Sequence, residues 1–298
     1  MSTPPSAVPA PSNAPTIVSA GATRIPVSPG PDWLAIAGGS VWTAAGRGIL
    51  QLDPATGDRG AFTELLGICV AFDVGFEALW TGSCDEPVIW RIDPTDGTVI
   101  ATVRLPVAGI QDEGSLAAGE GGVWAVSSAH ELVKIDSATN EVAGTWPLPA
   151  GAAAVRAGHG SLWVTVSTAD QLLRIDPADP TVQTPIDVGA FPRFLAIGED
   201  AVWVMNQRDG SVTRVGPDGT VVATITVSGP IEGGDIAVGG GSVWVQPGGE
   251  LLIQVDPVTN TIGATYGPRS GSGSVVADDT AVWVSAHDTE SIWRLPLP

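Results

Sequence analysis

Two short loops hold much of this chain's capacity for chemistry. GIQDEGS (109–115) and SGPIEGGD (228–235) place Asp112 with Glu113, and Glu232 with Asp235, in glycine-bracketed segments. Carboxylate oxygens gathered in this way ligate hard divalent cations, so Mg²⁺ or Ca²⁺ is the cofactor that Asp112, Glu113 and Asp235 would hold. The competing reading is that they are solvated loop acids of an acidic protein. Three histidines add titratable groups near neutral pH: His130 in SSAHEL, His159 in GHGS and His287 in SAHDTE. One imidazole beside loop acids can serve as a general acid or base, which makes His130 and His287 the catalytic candidates. Trp33 and Arg193 join Asp112, Glu113, Glu232 and Asp235 as candidate ligand-binding residues, with Phe191 and Phe194 expected to be exposed near Trp33. No Gly-x-Ser-x-Gly elbow in a strand-to-helix setting, no phosphate loop and no zinc-ligand spacing occurs.

The elements that position these residues follow from composition. Gly (38) and Pro (25) interrupt the 298-residue chain every few positions, which leaves no room for long segments of helical period. Between them lie short runs of Val, Ile, Leu, Thr and Trp that suit a pleated, half-buried surface. The net charge of −19 repels phosphate backbones and anionic lipid, so nucleic acid and membrane surfaces are excluded as expected partners. No apolar run approaches the roughly 20 residues that span a bilayer.

A repeat organises the strands. AGGSVWT, GFEALWT, GEGGVWA, GHGSLWV, GEDAVWV, GGGSVWV and DDTAVWV carry Trp42, Trp80, Trp124, Trp163, Trp203, Trp244 and Trp283 at intervals of 38 to 44 residues. Each unit reads as four antiparallel strands. In 234–266, DIAV turns through GGGS into VWVQ, then LLIQVD turns through PVTN into TIGATY. Paired glycines supply positive φ for tight hairpins, and Asp-Pro-x-Thr-Asn/Gly turns recur as DPATG, DPTDG, DSATN and DPVTN. Four strands at a period near forty predict a β-propeller blade, with each indole burying on the order of 200 Å² between blades. Arg91, Arg174, Arg214 and Arg294 recur on third strands, where the expected role is structural, in pairing with acids of an adjacent strand.

The last unit stops after its third strand, SIWRLPLP. Residues near 16–27 are expected to supply the missing fourth, closing an all-β seven-bladed β-propeller with no open edge. The domain then covers 16–298, preceded by a Pro/Ser/Ala-rich tail over 1–15 that reads as flexible. Loops between fourth and first strands share one end with those between second and third strands. That end has the longer loops and is the expected ligand face. Cys69 and Cys84 flank neighbouring strands at this end, where they form a candidate disulfide or remain buried thiols.

The repeat, from IAVGGGSVWV through RID-type third strands to ATITV, resembles the bacterial seven-bladed propellers of the YVTN and streptogramin (virginiamycin B) lyase-like group. In that group, the resemblance implies, two histidines from adjacent blades, one of them in a Glu-x-His motif, act with magnesium in elimination. Here Ser128, Ala157 and Ser285 stand two residues before the three histidines, so the lyase pattern does not carry over. The expected function is a non-catalytic binding propeller whose loop-rich face takes a protein, peptide, glycan or small molecule. The alternative is an enzyme of the loop face: a metal-assisted lyase, lactonase or cyclase. A monomer is expected, since the ring closes on itself and the charge is high. An extracytoplasmic location is expected if a signal has been removed, and a cytoplasmic one otherwise.

Overall fold

The structure, a computed structural model, describes residues 16–269 and 271–298. The tail expected over 1–15 lies outside them. Seven four-stranded antiparallel sheets form the ring. Blades 1 to 6 span residues 31–64, 73–104, 116–147, 152–187, 192–226 and 235–266, and blade 7 combines 275–296 with the N-terminal strand Thr23–Pro26. The seam is the one the repeat predicts: Thr23 pairs with Arg294, Ile25 with Ile292 and Pro26 with Ser291.

All seven repeat tryptophans are buried. Each lies on the second strand of its blade, and in five blades its indole N–H donates to a glycine carbonyl five residues earlier. The acceptors are Gly75, Gly119, Gly158, Gly198 and Gly239, at 3.0–3.1 Å. The glycine-rich words therefore place a carbonyl as well as a turn. Both central hairpin residues take positive φ in blades 1 to 6, and in blades 2 and 5 they are Phe76–Glu77 and Glu199–Asp200 rather than glycines. Gly38 is required for a second reason, because a Cβ there would stand 2.3 Å from the Pro94 carbonyl of blade 2.

Opposite each tryptophan on the third strand stands a cation or a glutamine. Arg91, Lys134, Arg174, Arg214 and Arg294 stack over Trp80, Trp124, Trp163, Trp203 and Trp283, with 4.8–5.8 Å to the ring centroid. Among the described residues none of these arginines forms an ion pair with an acid of an adjacent strand. Arg91 instead donates to the Ser137 carbonyl and Asn140, Arg174 to the Asp218 carbonyl, and Arg214 to the Pro257 carbonyl and Asn260. Every one of these acceptors lies in the turn between the last two strands of the following blade. In blade 1, Gln51 does the same to the Thr95 carbonyl. The Asp-led turns are hydrogen-bonded within themselves. Asp53, Asp136 and Asp256 each accept two backbone N–H bonds, and the turns close on Gly57, Asn140 and Asn260 in the left-handed region.

Candidate functional site

The loop-rich end of the channel is built from inner-strand starts and the loops that precede them. Loop 109–115 of blade 3 is tied to blade 2: the Ala71 N–H donates to the Glu113 carbonyl at 2.7 Å, and the Glu113 N–H to the Cys69 carbonyl at 3.1 Å. Cys69 is bonded to Cys84, with 5.8 Å between their Cα atoms. The bridge thus braces the segment against which Glu113 hangs, and a loop of this length contributes about 3 kcal/mol.

From this support Glu113 and Asp112 reach across the mouth to blade 5. Arg193 Nε donates to Glu113 Oε2 at 2.6 Å, and its Nη2 donates to Asp112 Oδ1 at 3.1 Å and contacts Glu113 as well. Beside this bridge Trp33 of blade 1 meets Phe194 of blade 5, with ring centroids 6.0 Å apart. The two rings are 7% and 2% exposed, so the expectation of an exposed Trp33 and Phe194 is corrected. They join the hydrophobic core at the axis, where apolar contact outweighs display to solvent. Phe191 is half-buried under Arg208, 5.2 Å from its ring centroid. A recess of about 260 Å³ remains, lined by Asp32, Trp33, Asp112, Glu113, Gly234 and Ser272 among others.

The other candidates fall around this recess. Asp235 sits just below it, with Oδ2 accepting from Ser274 Oγ at 2.7 Å and the Val275 N–H at 3.2 Å, and Oδ1 from the Ile236 N–H at 2.8 Å. These bonds tie blade 6 to blade 7. Glu232 is exposed and belongs to a separate hollow with Arg269 and Asp288. The His287 ring lies against Gly30, next to Asp32 on the rim, and its Nδ1 is 3.4 Å from Asp288 Oδ1. His130 Nε2 accepts weakly from the Gly151 N–H at 3.4 Å, on the blade 3 side. His159 occupies a hairpin at the opposite end. Among the described residues no three of His, Cys, Asp and Glu gather at metal-binding distance. Asp112 and Glu113 face an arginine, and Asp235 faces hydroxyl and amide donors.

Below the mouth, a channel cavity of about 410 Å³ contains charges that the sequence reading missed. Asp73 and Arg156 occupy the first-strand position that pairs with the repeat tryptophan, where the other blades have Ala35, Ala117, Ala196, Ala237 and Val276. That break in the repeat is the signal that could have found them. Asp73 Oδ2 accepts from the Ala118 N–H at 3.0 Å, and Arg156 Nη1 donates to the carbonyls of Gly114 and Leu116.

Desolvation pushes the carboxyls of Asp73 and Asp235 above the ordinary 3.8, with Arg156 opposing it in both. Desolvation also raises Asp32, against the pull of His287. A raised folded value means that the native state holds the proton more tightly than the unfolded chain. The associated stability is fully present below pH 3.8 and is lost as pH rises through the folded value. The exposed turn carboxyls of Asp53, Asp136 and Asp256 are lowered by backbone N–H bonds and act in the opposite sense, losing stability as pH falls. Asp73→Asn is therefore expected to gain a few degrees in Tm relative to the parent between about pH 3 and pH 8, the gain growing with pH. Melting curves across that range check it, and a pH-independent difference would show that the channel carboxyl is not desolvated.

No family model matches the chain, and no curated protein does. Among solved structures it is similar to virginiamycin B lyase from Staphylococcus aureus, with a TM-score of 0.79 at 16% identity over 93% of this chain and 99% of that one. It is similar to a streptogramin B lyase structure, with a TM-score of 0.77 at 18% identity over 92% and 96%. RRP9 WD40 repeats align with a TM-score of 0.78 at 12% identity over 96% and 99%. The fold is thus the seven-bladed propeller seen in the streptogramin lyases and shared with WD40 repeats.

Proposed function

We propose that the chain is a non-catalytic binding propeller that takes a protein, peptide or glycan on its loop-rich face, around the recess beside Trp33. The observation that carries this reading is the bridge from Asp112 and Glu113 to Arg193. It holds the polar groups of blades 3 and 5 in fixed positions across the mouth and engages them with one another. Preorganised polar groups around an aromatic floor suit recognition. An acid–base mechanism would need them free to exchange protons with a substrate. Similarity to both lyases and WD40 repeats agrees with a ring that presents its loops.

A random dodecapeptide library and a glycan array test the reading. Binders are expected whose capture falls at least tenfold with Arg193→Ala or Asp32→Asn and is unchanged by His159→Ala on the opposite face. Capture indifferent to both rim changes would overturn it. The contact of His287 with the Asp32 segment favours the catalytic alternative, and virginiamycin B is its direct probe. Turnover abolished by His287→Ala would replace binding with catalysis.

A further inference from the structure

The junction between blades 7 and 1 differs from the three others that carry an arginine in a way that creates a site. At three other junctions an arginine stacked on the repeat tryptophan fills its guanidinium with a main-chain carbonyl from the next blade's turn: Ser137 for Arg91, Asp218 for Arg174 and Pro257 for Arg214. Arg294 stacks on Trp283 in the same way, 5.6 Å from the ring centroid. The following turn is DPATG of blade 1, in which Pro54 corresponds to Pro257 and Gly57 to Asn260. The Arg294 guanidinium makes no hydrogen bond to that turn or to any other described residue; its Nε is buried without a partner, as are those of Arg91 and Arg214, but its terminal nitrogens lack the carbonyl that those two arginines hold. Gly57 offers no amide oxygen in the place of Asn140 or Asn260. A larger residue there would collide with the closing strand, since a Cβ on Gly57 would stand 2.8 Å from Ile25. A cleft of about 430 Å³ opens between the guanidinium and the turn, bounded by Ser40, Pro54, Ala55, Thr280, Trp283 and Arg294.

We propose that this cleft, on the face opposite the long loops, docks an extended polypeptide segment that presents a main-chain carbonyl to Arg294. The occupant follows from the sister junctions, where the same stacked guanidinium takes a neutral peptide carbonyl. Charge argues against an anion. Asp278 attracts the Arg294 guanidinium electrostatically, and the chain as a whole carries −19. An incoming carboxylate or phosphate would meet repulsion that a neutral carbonyl does not. The walls suit a peptide, with Pro54, Ala55 and the Trp283 edge for side chains and the Ser40 and Thr280 hydroxyls beside the backbone. The site is distinct from the channel mouth, so it does not depend on the function proposed there.

The probe is N-acetyl-Ala-Ala-methylamide, titrated into the folded chain while the side-chain ¹⁵N–¹H resonances of Arg294 and Trp283 are followed by NMR. Saturable shifts with a Kd in the millimolar range are expected for so small a ligand. Arg214 and Trp203, whose clasp is already filled, should not move. Arg294→Met keeps an unbranched side chain over Trp283 and removes every N–H donor, which a glutamine would not, since Gln51 at the equivalent position still reaches the Thr95 carbonyl. It should weaken binding at least tenfold without changing the fold, as judged by the remaining indole resonances. No saturable shift at Arg294, equal shifts at Arg214, or full affinity in Arg294→Met, read from Trp283, would each overturn the proposal. Sodium acetate binding more tightly than the neutral peptide would overturn the assignment of the occupant.

Discussion

Deleting residues 16–27 lowers the melting temperature by more than about 10 °C, and a synthetic peptide of the same sequence restores it when added in trans. The segment buries Ile17, Ile25 and Val27 and supplies the whole outer strand of blade 7. Full burial of such side chains is worth about 1.5–3 kcal/mol each. Removing them also bares the backbone of Ser291–Pro296 as an unpaired edge. The ring is then held across the seam only by contacts of blade 7 with blade 1. An unchanged melting temperature would mean that the seam contributes no stability. Recovery with peptide separates loss of a strand from damage elsewhere.

Trp203→Ala is expected to cost about 3–5 kcal/mol, a drop of several degrees in Tm. The side chain is fully buried, its indole N–H is bonded to the Gly198 carbonyl at 3.1 Å, and Arg214 lies over its face. Removing the ring leaves a cavity between blades and frees a guanidinium that clasps the Pro257 carbonyl and Asn260 of blade 6. The effect therefore crosses the junction, and amide exchange in 256–260 should rise as well. Phe62→Ala is the control. Phe62 is 55% exposed on an outer strand, and its loss should stay within about 0.5 kcal/mol. Equal losses in the two variants would show that the tryptophan position is not the blade-to-blade anchor.

The ring was legible because its signals are local and repeated. The Trp words, the Asp-Pro turns and the truncated last unit each require only neighbouring residues to be understood, and the pairing of Thr23 with Arg294 follows by subtraction. The mouth was legible in its membership and not in its geometry. Loop membership placed Asp112, Glu113 and Arg193 at one end, but which carboxylate meets which cation depends on how loop 109–115 folds over the axis. Trp33 and Phe194 come from blades 1 and 5 and touch only because the ring brings their inner strands together. Periodicity holds no record of that contact, so an aromatic residue before a strand reads as exposed. The third-strand arginines show the same limit. Their recurrence marked them as structural, while their acceptors are carbonyls, which every residue has and no sequence displays.

The seam also sets an order of events in time. Arg24 donates to the Thr289 carbonyl, a contact between residues 265 positions apart. During synthesis the strand Thr23–Pro26 emerges ahead of the six blades that follow it and has no partner until Ser291–Pro296 has been made. Blades 1 to 6 are complete in sequence before the ring can be, so their assembly precedes closure, and the first strand made is the last to find its place. A nascent chain of which only the residues before 291 have emerged would hold six finished blades and an idle strand, and emergence of Ser291–Pro296 would convert an open arc into a ring.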